Sequence, residues 1–416
     1  MSTTITASAY DISTNLKASL AQIRNTTNLS TWTLVLATVL TVGVWLRLSR
    51  QNDSKKNLGY SSGRAVGNGT SAEILKPLQV RVSRILIHPI KSCRGISVQK
   101  ALYTPEGMEF DRLWAIIDTA KQAIITAREV PKMVLITPQI ERDDSSPHLG
   151  RLVVSVPLAS GTETFSIPLR PSEDILRGWE VLPQIRIFPN QGPVDGYICN
   201  SLEGRTPSDV LSDYFGKPVQ LVYKGPRTRH SDPTVEFPNL KATAKYQDMY
   251  PLLVLSEEST SVVDQHIRNH VGTQGIDERW KTDTVVIERF RPNIVFSGGG
   301  PFAEDNWEEI SIGTEDAPTI TLVSKCTRCL VSDELFQVTV QFNETNRRFK
   351  LPNVSPETGE RDAAVPYKVL MKFRTGLDPK QKLKPCVGCN AVPGGNGVVS
   401  VGDWVFVKKV SKPLVT

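Results

Sequence analysis

The sequence is poor in the residues that build disulfide frameworks and histidine metal centres. Its 416 residues include six cysteines and five histidines. A chain of this length can bury a sizeable core without disulfide bonds, so we expect reduced thiols in a reducing compartment. His266 and His270 would share one helical face, but their segment lacks the glutamate of the HExxH zinc motif. The pair therefore predicts an exposed polar face.

Long runs of one charge are also missing. Lysine and arginine number 49 against 43 for aspartate and glutamate, which gives a net charge of +6. This small and dispersed excess argues against nucleic acid as the main partner. Hydrophobic residues make up 39% of the chain and charged residues 22%, as in ordinary globular proteins. The length predicts two domains, or one large domain with appendages.

One apolar segment stands apart from the rest of the chain. Residues 32–48 carry no charge before Arg47, and Trp32 and Trp45 lie near the two ends. The segment is at the low end of the about 17–25 residues that a bilayer requires, and tryptophan favours the membrane interface. Mostly basic residues follow it, so the positive-inside rule predicts a cytosolic body.

We therefore expect a single transmembrane anchor at 32–48. A short anchor with basic flanks suits the mitochondrial outer membrane, with the endoplasmic reticulum as the alternative. A cleaved secretory signal is a further interpretation, but 31 mostly polar residues precede the segment and no clean cleavage site follows it.

The rest of the chain divides into four predicted parts. Residues 1–31 form an N-terminal segment, and residues 49–78, rich in Ser, Gly, Asn and Lys, form a flexible linker. Short β-rich runs between turn residues predict a β-barrel or sandwich-like domain at 79–223. Further runs, among them TVVI at 284–287, predict a second β-barrel with few helices at 224–412. The predicted fold class is mainly β (α+β).

Two segments carry helix signals. Thr206 as N-cap, Pro207 at the first helical position and Gly216 past the end predict a helix. In SEESTSVVDQHIRNHV, Ser256 is the expected N-cap and an apolar stripe marks the buried face. The stripe consists of Val262, Val263, Ile267 and Val271.

Four cysteines form two CxxC pairs, Cys326 with Cys329 and Cys386 with Cys389. A CxxC turn places two thiolates at a suitable spacing for tetrahedral zinc. The pairs are separated by far more than the roughly 15–20 residues usual in such sites, and CTRCLV leads into an apolar strand. Structural zinc stays open as an interpretation. A thioredoxin-like redox pair is less favoured, because no helix follows either pair.

Three stretches concentrate hydrogen-bond donors that suit an anionic ligand. They are HPIKSCRG, FDRLW and RFRPNIVFSGGG, each at the end of a predicted strand. Guanidinium groups and hydroxyls recognise anions, although each such residue alone is usually solvated surface. Together they raise the prospect of a shared anionic site. The donors are Lys91, Ser92, Arg94, Arg112, Arg289, Arg291 and Asn293.

The order of these motifs resembles one protein family. HPIKSCRG, GMEFDRLWAIID, TAREVPKMVLI, LSEES, RFRPNIVFSG, FAEDNWEEISIG, CTRC, VSPETG and VSVGDWVFV follow one another over about residues 80–410. This combination is similar to the MOSC domain family, and in particular to the mitochondrial amidoxime-reducing components and their fungal relatives. The resemblance implies an N-terminal MOSC-type β-barrel domain, a MOSC β-barrel core with a few helices, and a preceding membrane anchor.

The resemblance also implies a molybdenum cofactor (Moco), a pterin dithiolene that holds the metal. The further metal ligand in the family is the second cysteine of the C-x-R-C stretch, here Cys329, with Cys326 as a neighbour that does not ligate. Asp248 is carried over with Cys329 as a catalytic residue. The cofactor-binding positions carried over are Lys91, Ser92, Arg112, Met249, Tyr250, Arg291 and Asn293.

This sequence departs from the family at several of these positions. Met249 and Tyr250 replace the Thr and Ser that follow the aspartate in relatives. Cys386 and Cys389 replace an apolar stretch near the site, which keeps the zinc interpretation open. A stretch of about 20 residues around QVTVQFNETNRRFKLP lengthens the segment after Cys329 and is expected to form a surface hairpin.

The activity implied by the resemblance is the reduction of N-hydroxylated compounds, such as amidoximes and hydroxylamines, and of nitrite. The cofactor would carry the redox chemistry, and the protein would supply orientation and charge. No flavin or haem motif is visible, so the implied electron donors are cytochrome b5 and its NADH-dependent reductase. Arg227 and Arg229 predict a basic loop that would suit docking of an acidic haem protein. Plain solvated surface is the other interpretation of that loop.

Two other functions remain as alternatives. One is a molybdenum cofactor sulfur-carrier or handling protein, although residues 1–80 are too short for the pyridoxal-phosphate domain that sulfurases usually carry. The other is a zinc-stabilised, membrane-tethered binding module without enzymatic activity, for which the replacement at 249–250 is the main argument.

Overall fold

The computed structural model describes residues 79–188, 192–328 and 351–411. The predicted anchor at 32–48, the linker, Cys329 and the predicted hairpin after it lie outside these ranges. Within them, no helix combines the length and the apolar character needed to cross a membrane.

The described residues are mainly β, as predicted, with four short α-helices. The helices are α1 (Glu173–Gly178), α2 (Pro207–Phe215), α3 (Glu258–Arg268) and α4 (Tyr367–Phe373). The first twelve strands are β1 (Arg81–Ile87), β2 (Ile96–Val98), β3 (Lys100–Thr104), β4 (Gly107–Met108), β5 (Trp114–Asp118), β6 (Ala123–Ile124), β7 (Thr137–Arg142), β8 (Gly150–Leu158), β9 (Gly161–Pro168), β10 (Val181–Ile185), β11 (Val194–Ile198) and β12 (Val219–Lys224). The others are β13 (Arg229–Ser231), β14 (Ala242–Ala244), β15 (Leu252–Ser256), β16 (Ile294–Ser297), β17 (Trp307–Ile312), β18 (Ile320–Thr327), β19 (Cys386–Pro393), β20 (Gly397–Ser400) and β21 (Val405–Val410).

The largest sheet has eight strands in the order β2-β1-β16-β15-β19-β18-β17-β21. The start of β1 also bonds to the residues that lead into β21. The amide of Val82 donates to the carbonyl of Asp403 at 2.9 Å, and the amide of Val405 donates to that of Val80 at 3.0 Å. These bonds join β1, the second strand in this order, to the last strand, β21, so the sheet closes toward a barrel.

A second sheet has five strands in the order β10-β11-β12-β5-β6, and β7, β8 and β9 form a meander. Strand β5 lies between β12 and β6, and all of its residues, WAIID, are buried. Strand β8 instead alternates between buried and more exposed residues, as expected when one face of a sheet meets the core. The largest buried cluster contains residues of both sheets, among them Trp114 and Phe296.

The local helix signals are correct for α2. The Thr206 side chain accepts a hydrogen bond from the Asp209 amide, Pro207 opens the helix, and Gly216 ends it in a left-handed conformation with φ of 66°. Three predictions further along the chain are wrong. Ser256 does not cap a helix, because it ends β15 and its hydroxyl donates to the buried carboxylate of Glu304.

The segment TVVI is not a strand. The amide of Val285 donates to the side chain of Asp264 at 2.8 Å, and a 3-10 helix begins at Ile287. Nor is the histidine pair an exposed polar face. The ring of His266 stacks on Phe373 with ring centroids 3.9 Å apart, so both the imidazole and the helix face that carries it are partly covered.

Candidate functional site

The turn after β1 brings a buried lysine to an aspartate far along the chain. The Lys91 side chain is 4% exposed, and its Nζ donates to the carbonyl of Tyr246 at 2.7 Å and to Oδ1 of Asp248. Arg128, from the TAREV segment, donates from Nη2 to Oδ2 of the same aspartate at 2.5 Å. Two cations therefore share one carboxylate.

These charges set the protonation states of the group. Burial lowers the pKa of Lys91 to about 8, although the Asp248 charge acts against this shift. Burial alone would raise the pKa of Asp248, but Arg128 and Lys91 hold that pKa well below its usual range. Asp248 is thus ionised at neutral pH. It is suited to holding two cations in place rather than to donating a proton.

A second pair lies beside the first. Nη1 of Arg112 donates to both carboxylate oxygens of the fully buried Asp111 at 2.7 Å, and its Nη2 donates to the carbonyl of Arg291 at 3.1 Å. The backbone amide of His88 also donates to Asp111, at 2.8 Å. Burial alone would raise the pKa of Asp111, but Arg112 and His88 lower it to about 2. Arg112 is therefore oriented by a carboxylate and a carbonyl of the protein.

Arg291 is the cation of this region that is left incompletely bonded. Its Nη1 donates to the carbonyl of Cys93 at 2.8 Å, whereas its Nη2 is buried and meets no hydrogen-bond partner among the described residues. Burial, reinforced by the charge of Arg112, lowers the pKa of Arg291 to about 9. A buried donor without a partner is costly, so this position is suited to an anionic or strongly accepting ligand.

Backbone strain gathers at the same place. Ser92, Arg112 and Arg291 have φ values of 70°, 47° and 57°, in the left-handed region that residues with a Cβ rarely adopt. Each such residue costs about 1–2 kcal/mol. Strain of this kind persists where the surrounding structure enforces it, and it is concentrated at binding sites.

Other predicted site residues are used differently. Asn293 is buried between strands, where its Oδ1 accepts from the Leu253 amide at 3.1 Å and its Nδ2 donates to the Leu86 carbonyl at 3.3 Å. The hydroxyl of Tyr250 donates to the carbonyl of Asp232 at 2.8 Å, and the Met249 side chain is 37% exposed. None of these contacts joins the cationic group formed by Lys91, Arg112, Arg128, Asp248 and Arg291, which we name the cationic cluster.

Two arginines outside the predicted set support the cluster. Arg128 belongs to the TAREV motif, and nothing local in the sequence indicates its pairing with Asp248 across 120 positions. Arg229, predicted on a basic surface loop, is instead 5% exposed and donates to the carbonyls of Gln247 at 2.6 Å and Asp248 at 2.7 Å. The prediction of Arg229 as a surface residue is therefore wrong, whereas Arg227 is exposed.

The cysteine strands β18 and β19 adjoin each other, and we name this pair the cysteine ladder. Lys325 pairs with Cys389 and Thr327 pairs with Cys386. Both thiols on β19 are buried; burial raises the pKa of Cys386 to about 12 and that of Cys389 well above its usual value. Within the described ranges, no group of three or more His, Cys, Asp or Glu side chains could hold a metal ion.

Arg328 fixes the end of β18, directly before Cys329. Its amide donates to the carbonyl of Pro385 at 2.7 Å, and its guanidinium donates to the carbonyls of Phe290 at 3.0 Å and Val387 at 2.6 Å. Phe290 directly precedes Arg291. The end of β18 is therefore hydrogen-bonded to the segment that carries Arg291, whose Nη2 has no partner among the described residues. Cys329 itself lies outside the described residues.

Comparison with known proteins identifies two adjacent domains. Residues 79–187 match the MOSC N-terminal beta barrel domain, and residues 241–406 match the MOSC domain. Mitochondrial amidoxime-reducing component 1 of Mus musculus is 29% identical over 336 residues, covering 78% of this chain and 82% of the relative. Mitochondrial amidoxime reducing component 2 of Homo sapiens is 27% identical over 338 residues, with the same coverages.

A relative whose name indicates a different function also matches. The molybdenum cofactor sulfurase of Danio rerio is 26% identical over 249 residues, covering 60% of this chain and 27% of that protein. The shared region therefore comprises about a quarter of the sulfurase. The matched domains, in this order, show that the chain belongs to the MOSC domain family.

Proposed function

We propose that this protein is a molybdenum-cofactor-dependent reductase of N-hydroxylated compounds, such as amidoximes and hydroxylamines, and of nitrite. The relatives that cover most of the chain are named amidoxime-reducing components. The observation that carries the proposal is the cationic cluster, in which Arg291 keeps a buried donor without a partner among the described residues.

The cluster fits the group that the family implies. A pterin cofactor bears a phosphate and several hydrogen-bonding ring edges, and both suit guanidinium and ammonium donors. Arg291 would offer its unpaired Nη2, and Lys91 and Arg112 lie beside it with their geometry already fixed by Asp248 and Asp111. Cys329 would supply the thiolate ligand, a soft donor that suits molybdenum.

When bound, the cofactor would supply the two electrons for converting an N–OH group to N–H with release of water. That conversion also consumes two protons. Lys91, with a pKa of about 8 and a side chain 4% exposed, can hold a proton at Nζ near neutral pH. Asp248 keeps Lys91 and Arg128 oriented, and the buried Arg291 supplies fixed positive charge where water is excluded.

The electron supply and the location of the protein are also part of the proposal. We propose a cytochrome b5-type partner, reduced by NADH-cytochrome b5 reductase, with the exposed Arg227 among the groups that would face it. The names of the relatives support a mitochondrial location. The anchor proposed at 32–48 would hold the body on the cytosolic side of the outer membrane.

Elemental analysis of the purified full-length chain tests the proposal. We expect molybdenum at close to one atom per chain, a fluorescent pterin after oxidation, and benzamidoxime reduction with a chemical electron donor. Stoichiometric zinc with no molybdenum and no pterin would refute it and favour the zinc-stabilised module.

The sulfurase relative favours a second function, a cofactor sulfur-carrier or handling protein. Such a protein would bind the cofactor and release it to an acceptor apoenzyme. Molybdenum that leaves the chain on incubation with a cofactor-free molybdoenzyme, together with no reduction of benzamidoxime, would select this alternative.

A further inference from the structure

A second cleft lies apart from the cationic cluster. It has a volume of about 380 Å³, within the range of small-molecule sites, and none of the five cluster residues lines it. Its walls come from the segment after α3 and from the VSPETGERD segment. The charged and aromatic residues that line it include Arg279, Trp280, Asp283, Arg289, Glu357, Glu360 and Asp362.

The floor of this cleft is a buried cation. Arg289 is 8% exposed, and its Nε is buried without a hydrogen-bond partner among the described residues. Its Nη1 makes one long bond, to the carbonyl of Pro352 at 3.4 Å, and the guanidinium lies 5.6 Å from the centroid of the Trp280 ring. Burial lowers the pKa of Arg289, yet a guanidinium remains charged at neutral pH.

Among the described residues, no acid forms an ion pair or a hydrogen bond with Arg289, although the charges of Glu357 and Asp362 act on it. Asp362 is already engaged, because its Oδ2 accepts from Arg279 at 2.6 Å and from the Trp280 indole at 2.8 Å. Its Oδ1 accepts from the backbone amides of Ala364 and Val365, both at 2.8 Å. The buried guanidinium therefore faces the cleft with hydrogen-bonding capacity to spare, which suits a carboxylate that accepts two parallel bonds.

The rim of the cleft has the opposite charge. Asp283, Glu357 and Glu360 line it and are exposed to solvent, and so is one cation, Arg279, which pairs with Asp362 at 2.6 Å and lies 4.0 Å from Asp283. The excess of carboxylates at the opening, Glu357 and Glu360 above all, repels a simple anion and attracts a cationic group. The cleft is thus positive at its floor and negative at its mouth.

We propose that this cleft binds a small zwitterion of the amino-acid type, with its carboxylate on Arg289 and its ammonium group among the rim carboxylates. A pure anion would meet the rim carboxylates on entry. A pure cation would leave the Arg289 donors unpaired. A molecule that bears both charges satisfies the floor and the rim together.

Titration calorimetry on the full-length protein tests this site without any measurement of reductase activity. The probes are ω-amino acids from glycine to 6-aminohexanoate, with hexanoate and hexylamine as controls that each lack one charge. We expect at least one amino acid to bind at least about tenfold more tightly than either control. Equal affinities for all probes, or no binding at millimolar concentrations, would overturn the proposal.

Two substitutions separate the floor from the rim. Glu357→Gln with Glu360→Gln removes exposed charge only and is expected to abolish the preference for the amino acid over hexanoate. Arg289→Met is expected to remove carboxylate binding, and the rim variant decides the question should the Arg289 variant not fold. Glu203→Gln, an exposed acid outside the cleft, is the matched control. Wild-type preference in the rim variant would contradict the assignment.

Discussion

The cationic cluster and the cysteine ladder both bury chemically reactive side chains, but they treat charge in opposite ways. In the cluster, Lys91, Arg112 and Arg128 are held by acids, and Arg291 keeps one buried donor without a partner among the described residues. In the ladder, burial favours the neutral thiol of Cys386, with a pKa of about 12. The cluster is therefore suited to binding an anion. Cys386 and Cys389, the two thiols of β19, are neutral and pack in the core.

The difference also bears on whether the two CxxC pairs form a structural zinc site. A zinc site requires thiolates, which form readily near positive charge or metal and poorly in an apolar strand. Cys389 lies on a fully buried strand, where its Sγ donates to the carbonyl of Glu304 at 3.3 Å. Cys386 and Cys389, two of the three described cysteines of this set, thus resemble core residues more than metal ligands.

The largest effect should come from the cysteine that would bind the metal. We expect Cys329→Ser to eliminate molybdenum retention and benzamidoxime reduction, because a hydroxyl cannot replace a thiolate ligand of a soft metal. Cys326→Ser, the matched control, should largely retain both. Equal loss in the two variants, measured by metal content and turnover, would point to paired metal coordination and erase the contrast between cluster and ladder.

Arg291→Met should separate cofactor binding from stability. Cofactor content after purification is expected to fall by at least about tenfold, because a charge-assisted donor is lost. The free energy of unfolding of the cofactor-free protein should stay equal or rise by about 1–3 kcal/mol, since a buried donor without a partner is removed. Urea unfolding and pterin fluorescence measure the two quantities. A strong loss of stability with full cofactor content would show that the residue acts structurally.

A titrating group, Glu304, lies beside the ladder, where its carbonyl accepts from Cys389 Sγ at 3.3 Å, and its pH dependence can be measured. Burial raises the pKa of Glu304 to about 7, above the usual value of 4.5, so the folded state prefers the protonated acid. Its contribution to stability is complete below pH 4.5 and is lost as pH rises through about 7. Relative to Glu304→Gln, the wild-type protein should lose roughly 3 kcal/mol over this interval at most. Parallel unfolding curves for the two proteins at every pH would contradict this.

The smallest effect concerns the carboxylate shared by two cations. Asp248→Asn should reduce stability by about 1–2 kcal/mol, a modest value because the Asp248 side chain is 42% exposed. Its lowered pKa means that this contribution is present above the usual carboxyl pKa and is lost as pH falls through the lower folded value. Adding Arg128→Met should recover part of the loss, as measured by a double-mutant cycle. Strictly additive losses would show that the pair is not coupled.

The sequence predicted those features whose cause is local. Turn residues and alternating apolar runs predicted a mainly β body, and Thr206, Pro207 and Gly216 marked α2 because caps act within a few residues. Contacts between distant segments had no such signal. The pairing of Arg128 with Asp248, the burial of Arg229 and the use of Ser256 by Glu304 all depend on tertiary packing.

The sequence also predicted the site in part: it identified residues that lie in motifs, but not the contacts that those residues make with distant segments. Motif order pointed to Lys91, Arg112, Asp248 and Arg291, and the structure brings these residues into one cluster. Motif order could not reveal that the side-chain amide of Asn293 hydrogen-bonds to the backbone of Leu86 and Leu253, since those bonds follow from the register of neighbouring strands. The role of each residue toward a cofactor, and that of Cys329, stays a prediction.

The closure of the large sheet has a practical consequence for engineering. Because Val80 and Val82 hydrogen-bond to residues 403–405, the beginning of the body lies beside the start of its last strand, β21. A short peptide joining residue 411 to residue 79 should therefore permit new termini at an exposed turn elsewhere, giving a circular permutant with the same core. For the same reason, a label attached to the residues that lead into β21 would lie next to the start of β1.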